Sequence, residues 1–367
     1  MKIAVLELVR RPGRFVVVGG ALTLLTLLLL FLGGLLDGLF LNSTGAIRAN
    51  DADALVFSDD ARQSFLRSTV DDDVRAEILA VDGVGEVGGL GLSLLGVAIP
   101  GEREIADGAV AGYELASGAL PAPPSPGQAY ADRRLEKFGA RLGQTVLVGP
   151  AEVPLELIGW VEDTNYLLQN GLWVEPDTWR SVQTTNRPDA PVGAGEFQTF
   201  IVRSTGTIET DELIARIDSA TGRTETLSEN DAVFAVPGIT EQNATFTAVI
   251  GVTIFVTGLV VALFFALLTI ERQGLYALLK AIGGSSRTLV AGVVVQSLAV
   301  ALGAYLLGAL LTAGLAQILP PSVPAQFELG RAAITLVAVT AAAVAGGLIS
   351  FRRITRIDPA TAIGAGA

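Results

Sequence analysis

Acid–base or metal-binding chemistry in this chain would have to come from carboxylates, tyrosines and hydroxyls, because the sequence contains neither histidine nor cysteine. Histidine is the commonest general base and metal ligand, and cysteine thiolates hold many zinc ions. Ser–His catalysis, zinc-dependent hydrolysis, disulfide bonds and His-ligated haem are therefore excluded. The sequence predicts no catalytic residues and no metal site.

One charged connection between two apolar runs has a sequence pattern that indicates a functional role. It is "ERQGLYALLKAIGG", residues 271–284. Apolar residues recur there at i, i+3, i+4 and i+7, at Leu275, Leu278, Leu279 and Ile282. This spacing predicts a short amphipathic helix. Gly283 and Gly284 allow the helix to end in a sharp turn. Such a helix could pass a push from a soluble partner to both flanking spans, or simply anchor the loop at the membrane surface.

The elements around this connection are predicted to cross a membrane. Half of the residues are hydrophobic, mean hydropathy is +0.53, and only 17% are charged. A span needs about 20 apolar residues, and four stretches qualify, at 15–40, 246–270, 288–319 and 332–351. The first stretch is too long for a signal peptide and lacks a cleavage site, so we expect it to remain as an anchor.

The distribution of basic residues predicts the orientation of the four spans. Ten of the 25 Lys and Arg residues lie in three segments that the spans place on one side, at 1–14, 271–287 and 352–367. The connection on the opposite side, 320–331, contains a single basic residue, Arg331. Because basic residues favour the cytoplasmic side, we expect a multi-pass protein of the cell membrane with both termini in the cytoplasm.

The long insert at 41–245 is predicted to be an extracellular α+β domain. It holds 14 basic and 32 acidic residues, a net charge of −18, while the rest of the chain carries +6. The runs at 145–149 and 153–163 predict a β-hairpin, 197–205 another strand, and 71–84 and 210–222 short helices. The run Asp71–Asp73 lacks calcium-loop spacing and is predicted to be a solvated surface or the start of a helix rather than a calcium site. The acidic balance argues against nucleic acid as a partner.

Three segments together resemble one family of membrane proteins. "ERQGLYALLKAIGGSSRTLV", the C-terminal "RRITRIDPATAIGA" and the strand pair "LGQTVLVG…VPLELIGWVED" are similar to FtsX/MacB-type (type VII) ABC transporter permeases. The order of one span, a large outer domain and three spans agrees over the full length. The resemblance implies a homodimeric permease in membrane lipid, joined by two ABC ATPase subunits that bind ATP and magnesium.

The resemblance also assigns roles to residues. The residues matching the family's ATPase-coupling region are Glu271, Arg272, Gly274, Leu275, Ala281, Ile282, Gly283 and Gly284. The sequence contains no G-x-x-x-x-G-K-[ST] loop, and none of its three lysines follows a glycine. We therefore expect the chain to bind no nucleotide cofactor itself and not to be an enzyme.

The end of the first span resembles the haem-exporter (HrtB/DevC-like) branch of this family in "LLLLFLGGLLDGLFLNSTGAI". This implies haem as a substrate. The residues assigned to a substrate gate or dimer interface are Phe31, Gly33, Gly34, Leu35, Asp37 and Gly38. The glycines equally suit plain helix packing, and Asp37 is either functional or a marker of the membrane–water boundary. Haem ligands could come from a carboxylate or from Tyr113, Tyr130, Tyr166, Tyr276 and Tyr305.

Two other functions stay open at this point. One is an exporter of a different drug, lipid or peptide. The other is a non-transporting mechanotransmitter that regulates an extracellular partner such as a cell-wall hydrolase. An exporter should show an apolar cleft between the first spans at the level of the outer leaflet, whereas a mechanotransmitter should show an exposed apolar patch or a long helical arm on the insert.

Overall fold

The computed structural model describes residues 12–271, 285–320 and 323–349, and the side chains of 12–15, 286–290 and 349 lie outside that description. The described elements follow in the order α1 (Pro12–Arg48), β1 (Ala54–Ser58), α2 (Asp72–Leu79), β2 (Val84–Ala98), β3 (Ile105–Tyr113), β4 (Gln128–Asp132), β5 (Thr145–Val148), β6 (Val153–Val161), β7 (Asn170–Val174), α3 (Pro176–Asn186), β8 (Thr199–Ser204), α4 (Thr210–Thr221), β9 (Thr224–Ser228), α5 (Glu229–Ala235), α6 (Ile239–Glu271), α7 (Ser286–Ala316) and α8 (Leu329–Ile349). Short 3₁₀ turns lie at Asp59–Ala61, Phe65–Arg67 and Arg133–Phe138.

The chain divides into two compact units. One contains Met1–Gly38 and Ala244–Ala367 and is called here the membrane unit; the other, Leu39–Asn243, is the insert unit. Four helices, α1, α6, α7 and α8, are long and apolar enough to cross a bilayer, with mean hydropathy between 1.7 and 2.6. The fold is therefore that of a membrane protein with four candidate spans and a mixed α+β domain between the first and the second, as the sequence predicted.

Small residues bring the helices of the membrane unit close together. A Cβ atom added at Gly346 of α8 would lie 2.6 Å from the Gly258 carbonyl oxygen of α6. A Cβ added at Gly308 of α7 would lie 2.9 Å from Thr26 of α1. Lipid tails are as apolar as the helix surfaces, so close backbone approach through small residues is what drives such packing. Around these crossings lies a common core that includes Leu22, Leu29, Val261, Phe265, Ala301, Ala304, Val339 and Ala343.

The insert unit is built on a ferredoxin-like sheet with a second set of strands inserted into it. The units β1–α2–β2 and β8–α4–β9 give the strand order β9-β1-β8-β2, in which every neighbouring pair is antiparallel. This is the split βαβ arrangement. The strands between β2 and β8 then form a ring of pairings, β2-β3-β7-β4-β6-β5, that returns to β2.

The 15-residue strand β2 joins these two sets of strands. Its first part, Val84–Leu90, pairs with β8, and its second part, Leu90–Ala98, pairs with β3. Closing the ring leaves no free edge in that half of the sheet. Two buried clusters fill the insert unit, and their largest fully buried side chains include Trp173, Trp179, Phe197 and Phe200.

Local patterns of the insert were predicted correctly. Strands β5 and β6 form an antiparallel hairpin with Val148 opposite Val153, and β8 lies within the predicted strand region. Asp71 caps α2 by accepting a hydrogen bond from the Val74 N–H at 3.0 Å, which confirms that the acidic run begins a helix. Helix α4 ends at Gly222, whose φ of 61° favours glycine.

Candidate functional site

Three glycines of α1 form a face on which the segment before α8 and the first turn of α8 lie. A Cβ atom at Gly38 would overlap the Pro324 carbonyl group, and one at Gly34 would lie 2.5 Å from the Phe327 ring. A Cβ at Gly33 would lie 2.6 Å from Cδ of Arg331. These residues, Gly33, Gly34 and Gly38, are called here the glycine face. Only glycine lets residues 324–331 approach the helix this closely.

A backbone hydrogen bond also joins the segment before α8 to the glycine face. The Gln326 N–H donates to the Gly34 carbonyl oxygen at 2.9 Å. In an apolar environment an unpaired amide is costly, so this bond favours the packed position of the segment. The glycine face therefore holds the connection into α8 against α1 of the same chain.

An ion pair lies beside the glycine face. Nε of Arg331 lies 2.6 Å from both carboxylate oxygens of Asp37, and Nη2 lies 2.5 Å from Oδ1. The side chain of Asp37 is 12% exposed and that of Arg331 is 35% exposed. A charge-assisted, nearly fork-like pair of this kind fixes both position and orientation. It holds the first turn of α8 against α1 and neutralises both charges.

A cavity of about 320 Å³ opens between α1, α7 and the first turn of α8. Its surface is mainly apolar, and it is lined by Leu30, Gly34, Asp37, Tyr305, Ala309, Thr312, Ala313, Ala316, Phe327, Glu328, Arg331 and Ala332. The α7 residues Ala309, Thr312, Ala313 and Ala316 recur at i, i+3, i+4 and i+7, so they share one face of that helix. Their small side chains leave the space open. The Tyr305 hydroxyl donates to the Ala332 carbonyl oxygen at 2.8 Å, which joins α7 to α8.

The chemistry that this cavity offers is binding. Among the described residues, no group of three or more Asp or Glu side chains is placed to hold a metal ion. The cavity instead combines apolar surface, two aromatic rings and three charged side chains, which suits an amphiphilic ligand.

The residues assigned to a gate or dimer interface fall into two groups. The glycine face and Asp37 come together at the cavity or beside it. Phe31 and Leu35 are half-buried on α1 and are not part of the cavity lining. Their role at a gate or between two copies of the chain stays a prediction.

The assigned coupling residues lie almost entirely outside the described part of the chain. Glu271 is the last residue of α6 and is exposed. The other seven, from Arg272 to Gly284, fall between the described residues 271 and 285. Their coupling role stays a prediction.

The tyrosines named as possible haem ligands differ in accessibility. Tyr113 and Tyr166 are each 1% exposed in the insert core, and the Tyr113 hydroxyl donates to the Pro121 carbonyl oxygen at 2.8 Å. Burial raises the pKa of both phenols above the usual range, which disfavours the tyrosinate form that would bind iron. Tyr130 is half-buried in β4, Tyr276 lies outside the described residues, and Tyr305 lines the cavity.

Sequence reasoning identified Asp37 and missed its partner. In the sequence, Arg331 stands out only as the single basic residue of the 320–331 connection. An acid at the end of the first span and a base at the start of the fourth, both on the insert side, were the available signal. The aromatic ring of Phe327 and the α7 stripe of small residues were also missed.

Comparison with known proteins assigns the C-terminal part of the chain. Residues 247–359 match the family model described as FtsX-like permease C-terminal. The putative hemin transport system permease protein HrtB of Staphylococcus epidermidis is 29% identical over 111 residues, which cover 30% of this chain and 32% of that protein. An uncharacterized ABC transporter permease of Mycobacterium tuberculosis is 37% identical over 111 residues, 30% of this chain and 31% of that protein. The match spans about a third of the length of these relatives.

Among solved structures, the periplasmic region of MacB from Actinobacillus actinomycetemcomitans aligns with a TM-score of 0.36 and 14% identity, covering 52% of this chain and 96% of that one. The extracellular domain of the noncanonic ABC-type transporter YknZ from Gram-positive bacteria aligns with a TM-score of 0.34 and 12% identity, covering 48% and 100%. The sequence match at 247–359 and the four apolar helices identify the chain as a membrane protein that carries an FtsX-like permease domain.

Proposed function

We propose that this chain is the permease subunit of an ABC exporter. A separate ATPase hydrolyses ATP, and this chain uses that energy to move a hydrophobic or amphiphilic molecule out of the membrane. The observation that carries the proposal is the cavity between α1, α7 and α8, which lies in the membrane unit and has a mainly apolar lining. A cavity of about 320 Å³ lies at the lower end of the range for small-molecule sites, ~300–1,000 Å³.

The division of labour between two subunits rests on the sequence. The chain has no P-loop motif, and its FtsX-like domain has a relative named as an ABC transporter permease. ATP and magnesium would thus be bound by two copies of a partner ATPase on a homodimer of this chain. The coupling segment 271–284 would receive the ATPase movement, with Gly283 and Gly284 as its turn.

Haem is the named candidate within the proposed substrate class. It is supported by the resemblance at the end of the first span and by the relative named as a hemin transport permease. Among the residues that the structure describes, Tyr305 is the tyrosine that lines the cavity. Its hydroxyl would have to leave the Ala332 carbonyl before it could bind iron.

The proposal is tested by the ATPase activity of the purified complex in lipid nanodiscs. The chain is isolated with its co-purifying ATPase, and haem and a panel of non-haem amphiphiles are titrated. We expect at least one ligand to change the rate, and Ala309→Phe, which fills the cavity, to abolish that response while basal activity remains. Leu310→Phe is the matched control, since Leu310 is 69% exposed on the same helix and does not line the cavity. An equal response in both variants contradicts the assignment of the cavity, and no response to any ligand contradicts export.

The coupling segment gives a separate prediction. Replacing both Gly283 and Gly284 with valine removes the freedom of the turn to adopt positive φ. We expect the double variant to assemble with the ATPase and to hydrolyse ATP without ligand transport. Normal transport by this variant would contradict the coupling role.

A further inference from the structure

The charges around the cavity do not cancel. Asp37 and Arg331 neutralise each other through contacts that use both Nε and Nη2 of the guanidinium. The third charged residue of the lining is Glu328, which is exposed. Its backbone carbonyl accepts the Ala332 N–H at 3.0 Å at the start of α8. Within the described residues its carboxylate has neither an ion pair nor a hydrogen bond, so the cavity carries one net negative charge.

Aromatic rings lie in the same lining as this carboxylate. Phe327 precedes Glu328, is 40% exposed and lines the cavity, as does Tyr305 of α7. The face of an aromatic ring attracts a cation within about 6 Å of its centre. The Glu328 carboxylate and the two rings, all in one cavity lining, are therefore groups that each favour positive charge.

We propose that the cavity binds an amphiphilic monocation. Its apolar body lies between α1 and the small-residue stripe of α7, and its cationic group lies between the Glu328 carboxylate and the Phe327 ring. An anionic amphiphile would meet the charge of Glu328, and it could reach Arg331 fully only by displacing Asp37. Breaking that pair would leave a carboxylate that is 12% exposed without its counter-charge. This inference rests on the proposed function for the transport step but not for binding.

The inference separates members of the proposed substrate class. Haem carries two anionic propionates, so the charge of the cavity favours an amphiphilic cation over haem. A pair of probes with nearly the same shape and opposite charge tests this directly. Tetraphenylphosphonium and tetraphenylborate form such a pair.

Binding is measured with the full chain in phosphatidylcholine nanodiscs, without ATP, after subtraction of the signal from empty nanodiscs. We expect tetraphenylphosphonium to bind more tightly than tetraphenylborate. Glu328→Gln should weaken tetraphenylphosphonium binding by roughly 3- to 10-fold, the effect of losing one exposed charge. Glu328→Lys should reverse the preference between the two probes. Glu241→Gln is the matched control, because it removes an acidic charge from a residue outside the cavity lining and should leave binding unchanged.

The outcomes distinguish the inference from the proposed function. Equal binding of the two probes, or unchanged phosphonium binding in Glu328→Gln, overturns the inference. Size-exclusion profiles and unfolding temperatures of the variants confirm that they are folded, which is expected because Glu328 is exposed. Cation binding without ATP-driven transport in the presence of the ATPase would support the inference and contradict export. ATP-driven transport of haem alone, with no preference for the cationic probe, would support export and contradict the inference.

Discussion

Replacing Gly38 with alanine tests whether α1 is held against the segment before α8. The new Cβ atom would overlap the carbonyl group of Pro324. Because that neighbour is backbone, it cannot rotate away, and the whole 324–328 segment must shift. The shift would also strain the Asp37–Arg331 pair and the wall of the cavity.

Two opposing effects set the magnitude. Alanine is favoured over glycine within a helix by about 1 kcal/mol. Forcing an extra carbon into a packed contact costs about 1–3 kcal/mol. Gly20 lies on the same helix, and nothing lies within 4 Å of a Cβ atom added there, so Gly20→Ala should show the first effect alone. We expect Gly38→Ala to be less stable than Gly20→Ala by about 1–3 kcal/mol.

A third variant makes the comparison graded. At Gly34 the new Cβ would lie 2.5 Å from the ring of Phe327, a side chain that can turn, and 3.2 Å from the Gln326 carbonyl oxygen. The stability of Gly34→Ala should therefore lie between those of Gly20→Ala and Gly38→Ala. The assay is thermal unfolding of the purified chain in one detergent, with loss of the folded peak monitored by size-exclusion chromatography. Each kcal/mol of lost stability should lower the unfolding temperature by ~2–4 °C. Equal unfolding temperatures for Gly38→Ala and Gly20→Ala would refute the close contact.

Further predictions concern the insert and the orientation of the chain. Asp71→Ala removes the cap from α2, and we expect a loss of about 1 kcal/mol, read as faster hydrogen exchange of the α2 amides; unchanged exchange would contradict the cap. Burial raises the pKa of the Tyr166 phenol, so the stability from its neutral form is complete below its ordinary pKa of about 10 and is lost as pH rises above it. Tyr166→Phe should reduce this alkaline loss in a pH series of unfolding temperatures, and an unchanged series would contradict it. Because the chain has no cysteine, Thr207→Cys should react with a membrane-impermeant maleimide on intact cells and Ser285→Cys only after permeabilisation; the reverse pattern would overturn the orientation.

The sequence predicted the features that depend on neighbouring residues. The β5–β6 hairpin, the capped helix α2 and the glycine-ended helix α4 all arise from patterns within about a dozen residues. The four spans arise from composition alone. These features need no information about distant parts of the chain, so a single sequence was enough.

The arrangement of strands could not be predicted in this way. Strand β2 pairs with β8, which lies more than 100 residues later, and its other half closes the ring through β3 and β5. An alternating pattern shows that a strand has a buried face, but it does not name the partner strand. The insertion of β3–β7 into a ferredoxin-like sheet was therefore found only in the structure.

Only the part of the candidate site that depends on local sequence could be predicted. The glycine face and Asp37 stood out because small and charged residues are informative within an apolar span. Their partners Pro324 and Arg331 lie nearly 300 residues away. The stripe of small residues on α7 gave no signal, because a helix that is apolar all round shows no preferred face.

Transport into inside-out membrane vesicles tests the central claim most directly. Vesicles containing the chain and its ATPase are given ATP, and uptake of tetraphenylphosphonium and of haem is measured for the unaltered chain, Ala309→Phe and Leu310→Phe. We predict ATP-dependent uptake of at least one ligand, with loss of that uptake in Ala309→Phe and its retention in Leu310→Phe. Uptake that survives filling of the cavity, or no ATP-dependent uptake of either ligand, would contradict the account of this chain as an exporter that uses the α1–α7–α8 cavity.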